Sequence, residues 1–316
     1  MSLSYFLERL VYIFITLLII SAIIFFITMI LPGNAAVMIL GQYATPDALA
    51  ALEKKLGLDQ PFFIQYFKWI GGVALGDFGK SLSMEQPIGP LVLFRLKNSA
   101  ILAGLSLIVV IFIAIPLGVW ASLRQNTPAD RAIQLVSYLG ISMPEFATGT
   151  LLVVFLAGPA LGFLPAGGYV PFSEGGVKAI KHLILPITTL IIVLIAHIMR
   201  QTRSEMIEVM HTNYVRAARL KGLTERSVIL KHALRNALLP TVTVLASDIG
   251  YLMGSVVVVE EVFAYPGLGR LIIYAIGNRD IPLLQAATLV VASVYAFSNF
   301  AADLIYAWLN PKIRYD

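Results

Sequence analysis

The sequence contains no cysteine, which excludes disulfides, thiolate metal sites and cysteine nucleophiles and leaves the redox compartment open. Charge is scarce as well. Asp, Glu, Lys and Arg make up 13% of 316 residues, against 58% hydrophobic residues and a mean hydropathy of +0.83. A soluble domain carries about 25% charged residues, so this chain is expected in a bilayer. Histidine is equally sparse: His182, His197, His211 and His232 fall in loops or near the ends of apolar runs. No pair lies one helical turn apart, as a metal or haem site would favour, and no metal site is expected. The net charge of +5 is better explained by the gathering of Lys and Arg in cytoplasmic loops than by a nucleic-acid partner.

A nucleotide site is missing too. Gly79-Lys80-Ser81 matches the end of a phosphate-binding loop, but Ala74 stands where that motif requires its first glycine, and no apolar strand precedes it. Asp77-Phe78-Gly79 spells a kinase tripeptide without the other kinase signatures. Any use of ATP requires another subunit, and no cofactor is expected on this chain.

What is present is a series of apolar runs. Six predicted spans cover about 10–31, 99–122, 132–157, 183–199, 238–259 and 281–309, each long enough for a hydrocarbon core of about 30 Å or nearly so. The first exceeds the apolar region of about 7–15 residues in a signal peptide and is read as a span. Pro32 and Gly33 end it. Within the loop 32–98, Thr45-Pro46-Asp47 begins a short helix that Gly57 ends, with Leu49, Leu52 and Leu56 on one face. Pro116 is expected to kink the second span. An even number of spans puts both termini on one side. With the N-terminus inside, thirteen of the 23 Lys and Arg are cytoplasmic; of the ten outside, six lie in the 67-residue first loop, and loops this long follow the charge rule poorly. Both termini are therefore expected in the cytoplasm.

The longest polar interruption of the second half is NYVRAARLKGLTERSVILKHALRNALLP, Asn213–Pro240, which carries six Arg or Lys. It reads as two short helices meeting at Gly222, a residue suited to the left-handed helix-terminating position, with Thr224 able to cap the second. We place this cytoplasmic elbow at 205–237. Two carboxylates, Glu145 and Asp248, sit near the middle of spans three and five. A charge there costs about 2.5–3.5 kcal/mol on insertion scales, so each either lines a polar pathway or is hydrogen-bonded within the bundle. Asp303, nearer the cytoplasmic end of span six, is expected to meet interfacial water. Gly250 and Gly254 form a GxxxG on span five, a helix-packing device.

These residues resemble the membrane subunits of binding-protein-dependent ABC importers, in the dipeptide, oligopeptide and nickel permease branch. That family's motif is Glu-Ala-Ala, three residues, Gly, then Ile-x-Leu-Pro; Ala217-Ala218, Gly222 and Leu239-Pro240 match it, and Arg216 takes the Glu position. Pro240 follows Gly222 by eighteen residues, five more than the general spacing. Leu56–Ser81 is similar to the branch's outer-loop signature, and Val258–Leu271 to its segment after span five. The resemblance covers essentially the whole chain. It implies one all-α, type I importer permease domain over residues 1–316 in a bacterial or archaeal plasma membrane, the inner membrane in a Gram-negative cell. The subunit would be non-catalytic. Its partners would be a second permease, two ATPase subunits holding ATP and Mg, and an extracytoplasmic solute-binding protein. Val215, Arg216, Ala217, Ala218, Arg219, Lys221, Gly222, Leu223, Thr224 and Glu225 would dock in an ATPase. Glu145 and Asp248 would line the pathway, and a peptide, a nickel chelate, glutathione or an oligosaccharide would be carried. On the residues alone, an ion-gradient-driven transporter and a structural subunit of a membrane enzyme complex remain open.

Overall fold

The computed structural model describes residues 3–30, 40, 45–57, 59–158 and 161–309. The expected stop at Pro32 and Gly33 lies outside these residues, as do the side chains of Leu52 and Leu56. The chain is helical: α1 (Leu3–Ile30), α2 (Pro46–Leu56), α3 (Phe62–Ala74), α4 (Ile88–Leu123), α5 (Pro128–Ser142), α6 (Glu145–Leu152), α7 (Gly176–Met210), α8 (Asn213–Leu220), α9 (Glu225–Val262), α10 (Leu268–Gly277) and α11 (Ile281–Leu309). Among the described residues the extended pairing is a single bridge, Lys80 to Pro87. By length and composition α1, α4, α7, α9 and α11 can cross a membrane, and α5 with α6 adds a sixth crossing if the bent pair counts as one.

That bent pair departs from the single uninterrupted third span expected over 132–157. Between Ser142 and Glu145 the axis turns by 105°. Pro144 supplies the cause: its ring disfavours the helical region for the preceding residue, and Met143 is extended at φ −97°, ψ 129°. Pro116, in contrast, sits inside an α4 that continues on both sides of it, as do Pro186 in α7 and Pro240 in α9. The short helix expected after Thr45 forms. Thr45 Oγ1 accepts from Ala48 N, and Gly57 closes the helix at φ +72°.

The chain divides into two compact units, one of Leu3–Ser99 with Pro266–Phe297 and one of Ala100–Tyr265 with the chain from Ser298. In the second, α7 is the central helix: 61% of its most apolar window is buried, against 11% for α1. Leu190, Leu194, Ile198 and Met199 of α7 form a core with Leu102, Val110 and Ala114 of α4 and Leu252, Val256 and Val259 of α9. Close approach of α4 to α7 rests on Gly118, where a Cβ would stand 2.7 Å from both Met199 O and Thr202 Cβ. In the first unit, Ile88 and Val92 pack with Leu268, Leu271 and Ala275 of α10 and Leu283, Ala286 and Ala287 of α11. Asp280, fully buried, holds the 81–83 turn there, accepting from Ser81 Oγ (2.6 Å), Ser83 N (2.9 Å), Ser83 Oγ (2.7 Å) and Leu283 N (3.2 Å). The serine of the false phosphate-binding motif thus has a structural partner.

Candidate functional site

The elbow is built on a helix longer than the fourth apolar run. α7 continues as helix to Met210, carrying Arg200 and Arg203 beyond the expected span. Arg203 makes a bidentate pair with Asp130, Nε to Oδ1 at 2.6 Å and Nη2 to Oδ2 at 2.7 Å. Asp130 is 1% exposed and also accepts from Asn126 N and Gln134 Nε2, so every lone-pair direction of this buried carboxylate is engaged. The pair ties α7 to the start of α5. Arg200 lies over the Tyr138 ring at 5.3 Å, a second tie between the same helices.

After a turn at His211 and Thr212, α8 runs to Leu220, and Gly222 takes the left-handed conformation at φ +76°, as expected. The second short helix does not stand alone. Glu225–Ser227 is the first turn of α9 and passes through a wider π turn, Val228–Ala233, directly into its long part from Leu234. Thr224 has the extended backbone of a capping residue, but its side chain makes no capping bond; its carbonyl accepts from Val228 N at 3.0 Å. The Arg219–Glu225 pair, at 2.7 Å and 3.2 Å, closes the turn across Gly222.

The ten docking candidates fall into two groups. Val215 and Ala218, one turn apart, are buried against Met206, Val228, Ala233 and Ala237 and so hold the elbow together. Arg216, Ala217, Arg219, Lys221, Gly222, Leu223, Thr224 and Glu225 are exposed. Of these, Arg219 and Glu225 engage each other. Leu220, absent from the sequence reading, is 83% exposed; its signal was an apolar residue one turn after Arg216, on the face opposite Val215.

Glu145 is the first residue of α6, beside the break, not in the middle of a continuous span. It accepts from Tyr251 Oη and, at 2.9 Å, from Ser255 Oγ, both on α9. Asp248, on the same helix and buried, has His197 Nδ1 at 3.4 Å from Oδ1, while Oδ2 makes no hydrogen bond. His197 and Tyr251 rings lie 6.2 Å apart. A continuous polar cluster, Glu145, Ser255, Tyr251, His197 and Asp248, therefore joins α6, α7 and α9. His197 corrects the placement of the histidines near span ends, because the extension of α7 puts it well inside the helix. Of the GxxxG pair, Gly250 is buried, whereas Gly254 is exposed and a Cβ there would meet nothing within 4 Å.

Apolar helices, a solvent-facing elbow and intramembrane polar groups define a multi-pass membrane transport component. Residues 114–315 match the binding-protein-dependent transport system inner membrane component, and residues 2–88 match the N-terminal part of the same kind of membrane component. The chain belongs to this family of transport permease subunits. It is similar to a protein of Brucella abortus (strain 2308) named as a peptide transport system permease, with 37% identity over 300 residues and 95% of each chain covered. It is also similar to the glutathione transport system permease protein GsiC of Salmonella paratyphi A and of Salmonella typhimurium (strain LT2), at 36% identity over 313 residues and 99% of each chain.

Proposed function

We propose that this chain forms one half of the translocation pathway of an ATP-driven importer for peptides or peptide-like solutes such as glutathione, and that the elbow receives the force of an ATPase subunit. In this reading the chain crosses the membrane six times, at about 10–31, 99–122, 132–157, 183–199, 238–259 and 281–309, with both termini and the 205–237 elbow in the cytoplasm and the 32–98 loop outside. A second permease, two ATPases carrying ATP and Mg, and an external binding protein complete the assembly.

The observation that carries the coupling reading is the two-sided elbow. Its inner face is locked by Val215 and Ala218 to α7 and α9, so displacement of the tip is passed to both helices. Its outer face presents Arg216, Leu220, Lys221 and Leu223 to solvent. An uncovered pair of leucines beside two cations suits a pocket with an apolar floor and an acidic rim. In the reconstituted transporter, Gly222→Pro and Arg216→Glu are expected to leave membrane insertion intact and to lower substrate-stimulated ATP hydrolysis about 5-fold or more, the low end of ordinary coupling free energies. Unchanged stimulation in both variants would overturn the coupling role.

The polar cluster supports an amine-recognising pathway. Asp248 Oδ2 is a buried acceptor without a donor, a costly arrangement that a passing ammonium or amide N–H would relieve. A peptide N-terminus has that chemistry.

A further inference from the structure

Within Ala100–Tyr265 of the second unit, α5 is tied three times to the C-terminal half of α7, the half that leads into the elbow. Asp130 takes the forked guanidinium of Arg203, the Tyr138 ring lies under Arg200, and Gly140 closes on Ile192, whose Cγ2 would stand 3.0 Å from a Cβ at that position. A buried ion pair adds little net stability over an apolar pair of the same volume. What a fork with its acceptor positions filled provides is fixed geometry. α5 and this half of α7 are thereby built as one body.

The far end of α5 is the compliant one. Asp130 precedes Ser142 by twelve residues, about 18 Å along a helix, and there the axis turns by 105°. Ser142, Met143 and Pro144 are all exposed, and a joint that buries so little can change its dihedrals at small cost. Immediately beyond it the chain is held again, chiefly by α9. Glu145 accepts from Tyr251 and Ser255. One turn on, Gly149 sets α6 against Val262, Phe263 and Thr189, whose side chains would stand 3.2 to 3.4 Å from a Cβ there. With both arms anchored, a displacement of the elbow half of α7 relative to α9 is absorbed at 142–144. The residue that meets it first is Glu145, a member of the polar cluster.

We propose that Asp130 and Arg203 are positioning residues of the transport cycle: they make α5 move with the elbow, and the 142–144 joint delivers that movement to the hydrogen bonds of Glu145 with Tyr251 and Ser255. The inference rests on the coupling reading above and names its route to the polar cluster. Because coupling between sites is reciprocal, the same route carries occupancy of the cluster back to the elbow.

The test uses the assembled transporter in liposomes, with cysteine-free partner subunits. This chain has no cysteine, so Met143→Cys gives a single labelling position at the exposed joint for an environment-sensitive fluorophore. ATP with vanadate is expected to shift its emission. Asp130→Asn/Arg203→Gln, which keeps hydrogen-bonding groups in both places and removes both charges, is expected to reduce the shift per trapped nucleotide about 5-fold or more. Arg203→Lys, which keeps the charge without the fork, is expected to reduce it less. A merely structural pair would lower the yield of complex and leave the shift per trapped nucleotide unaltered, so an undiminished shift in whichever variant assembles overturns the route. If the label does not respond while Gly222→Pro still lowers ATP hydrolysis, the route through α5 falls and the elbow reading stands. If the label does not respond and Gly222→Pro leaves hydrolysis unaltered, both fall.

Discussion

Asp248 and Glu145 carry the same functional group into apolar surroundings and are treated differently by their neighbours. Glu145 stands at a helix N-terminus and receives two hydroxyl donors from α9. Asp248 has one long contact to His197 and an oxygen left without a donor. If Asp248 meets substrate, Asp248→Asn weakens substrate affinity about 10-fold or more, the value of a hydrogen bond to a charged group, while the assembled complex is still recovered. Assembly lost with selectivity unaltered would make it a packing residue. Asp280 shows a structural carboxylate. Burial pushes its carboxyl up, but hydrogen bonds from Ser81, Ser83 and Leu283 outweigh this and hold it below the usual carboxylate range. A folded pKa below the unfolded one means that its contribution is complete above the unfolded value of about 3.9 and is lost as pH falls through the folded value. Amide protection in the 81–87 turn, taken relative to unstructured-chain exchange at the same pH, is expected to fall below about pH 4, and Asp280→Asn is expected to lower protection at neutral pH and flatten that dependence. Wild-type protection unchanged down to about pH 2 would refute the assignment.

At the scale of elements, the elbow was legible in outline and not in detail. Gly222 and its positive φ could be expected because few residues other than glycine take that conformation without cost. The fusion of the following turn into α9 could not, since nothing local distinguishes a short helix from the first turn of a long one when the next residues, Val228–Ala233, contain neither glycine nor proline to stop it. The break before α6 was available in Met143-Pro144, but the apolar run across it masked it: hydropathy reports length and not direction. Close approach within the chain was hidden for a related reason: a glycine spacing does not say which face a neighbour covers, and α7 meets Gly118 of α4, whereas Gly254 stays open on α9. Gly118→Ala forces a methyl into the backbone of α7 and is expected to cost about 1–3 kcal/mol by overpacking, seen as a lower Tm in detergent. Gly254→Ala is expected to leave the isolated chain unchanged. An unaltered Tm for Gly118→Ala would show that α4 and α7 can separate at little cost.

For the whole molecule, composition and six apolar runs determined that this is a helical membrane protein, and the order of the motifs carried its resemblance to a transport subunit. The physical reason is that a bilayer core requires every backbone polar group to be satisfied within the spanning segment, so that length and hydropathy alone mark the spans. The membership of residues 114–315 and 2–88 in the binding-protein-dependent transport family agrees with that reading. Only the tertiary structure decided which side chains meet. Asp130 and Arg203 are 73 residues apart, His197 and Asp248 51, and Glu145 and Tyr251 106. Such pairs depend on the rotation and crossing of whole helices, which follow from side-chain packing across their shared surfaces and leave no periodic trace in the sequence. For the same reason the half of the elbow that faces inward, Val215 and Ala218, was separable from the half open to a partner only once α7 and α9 were placed against it.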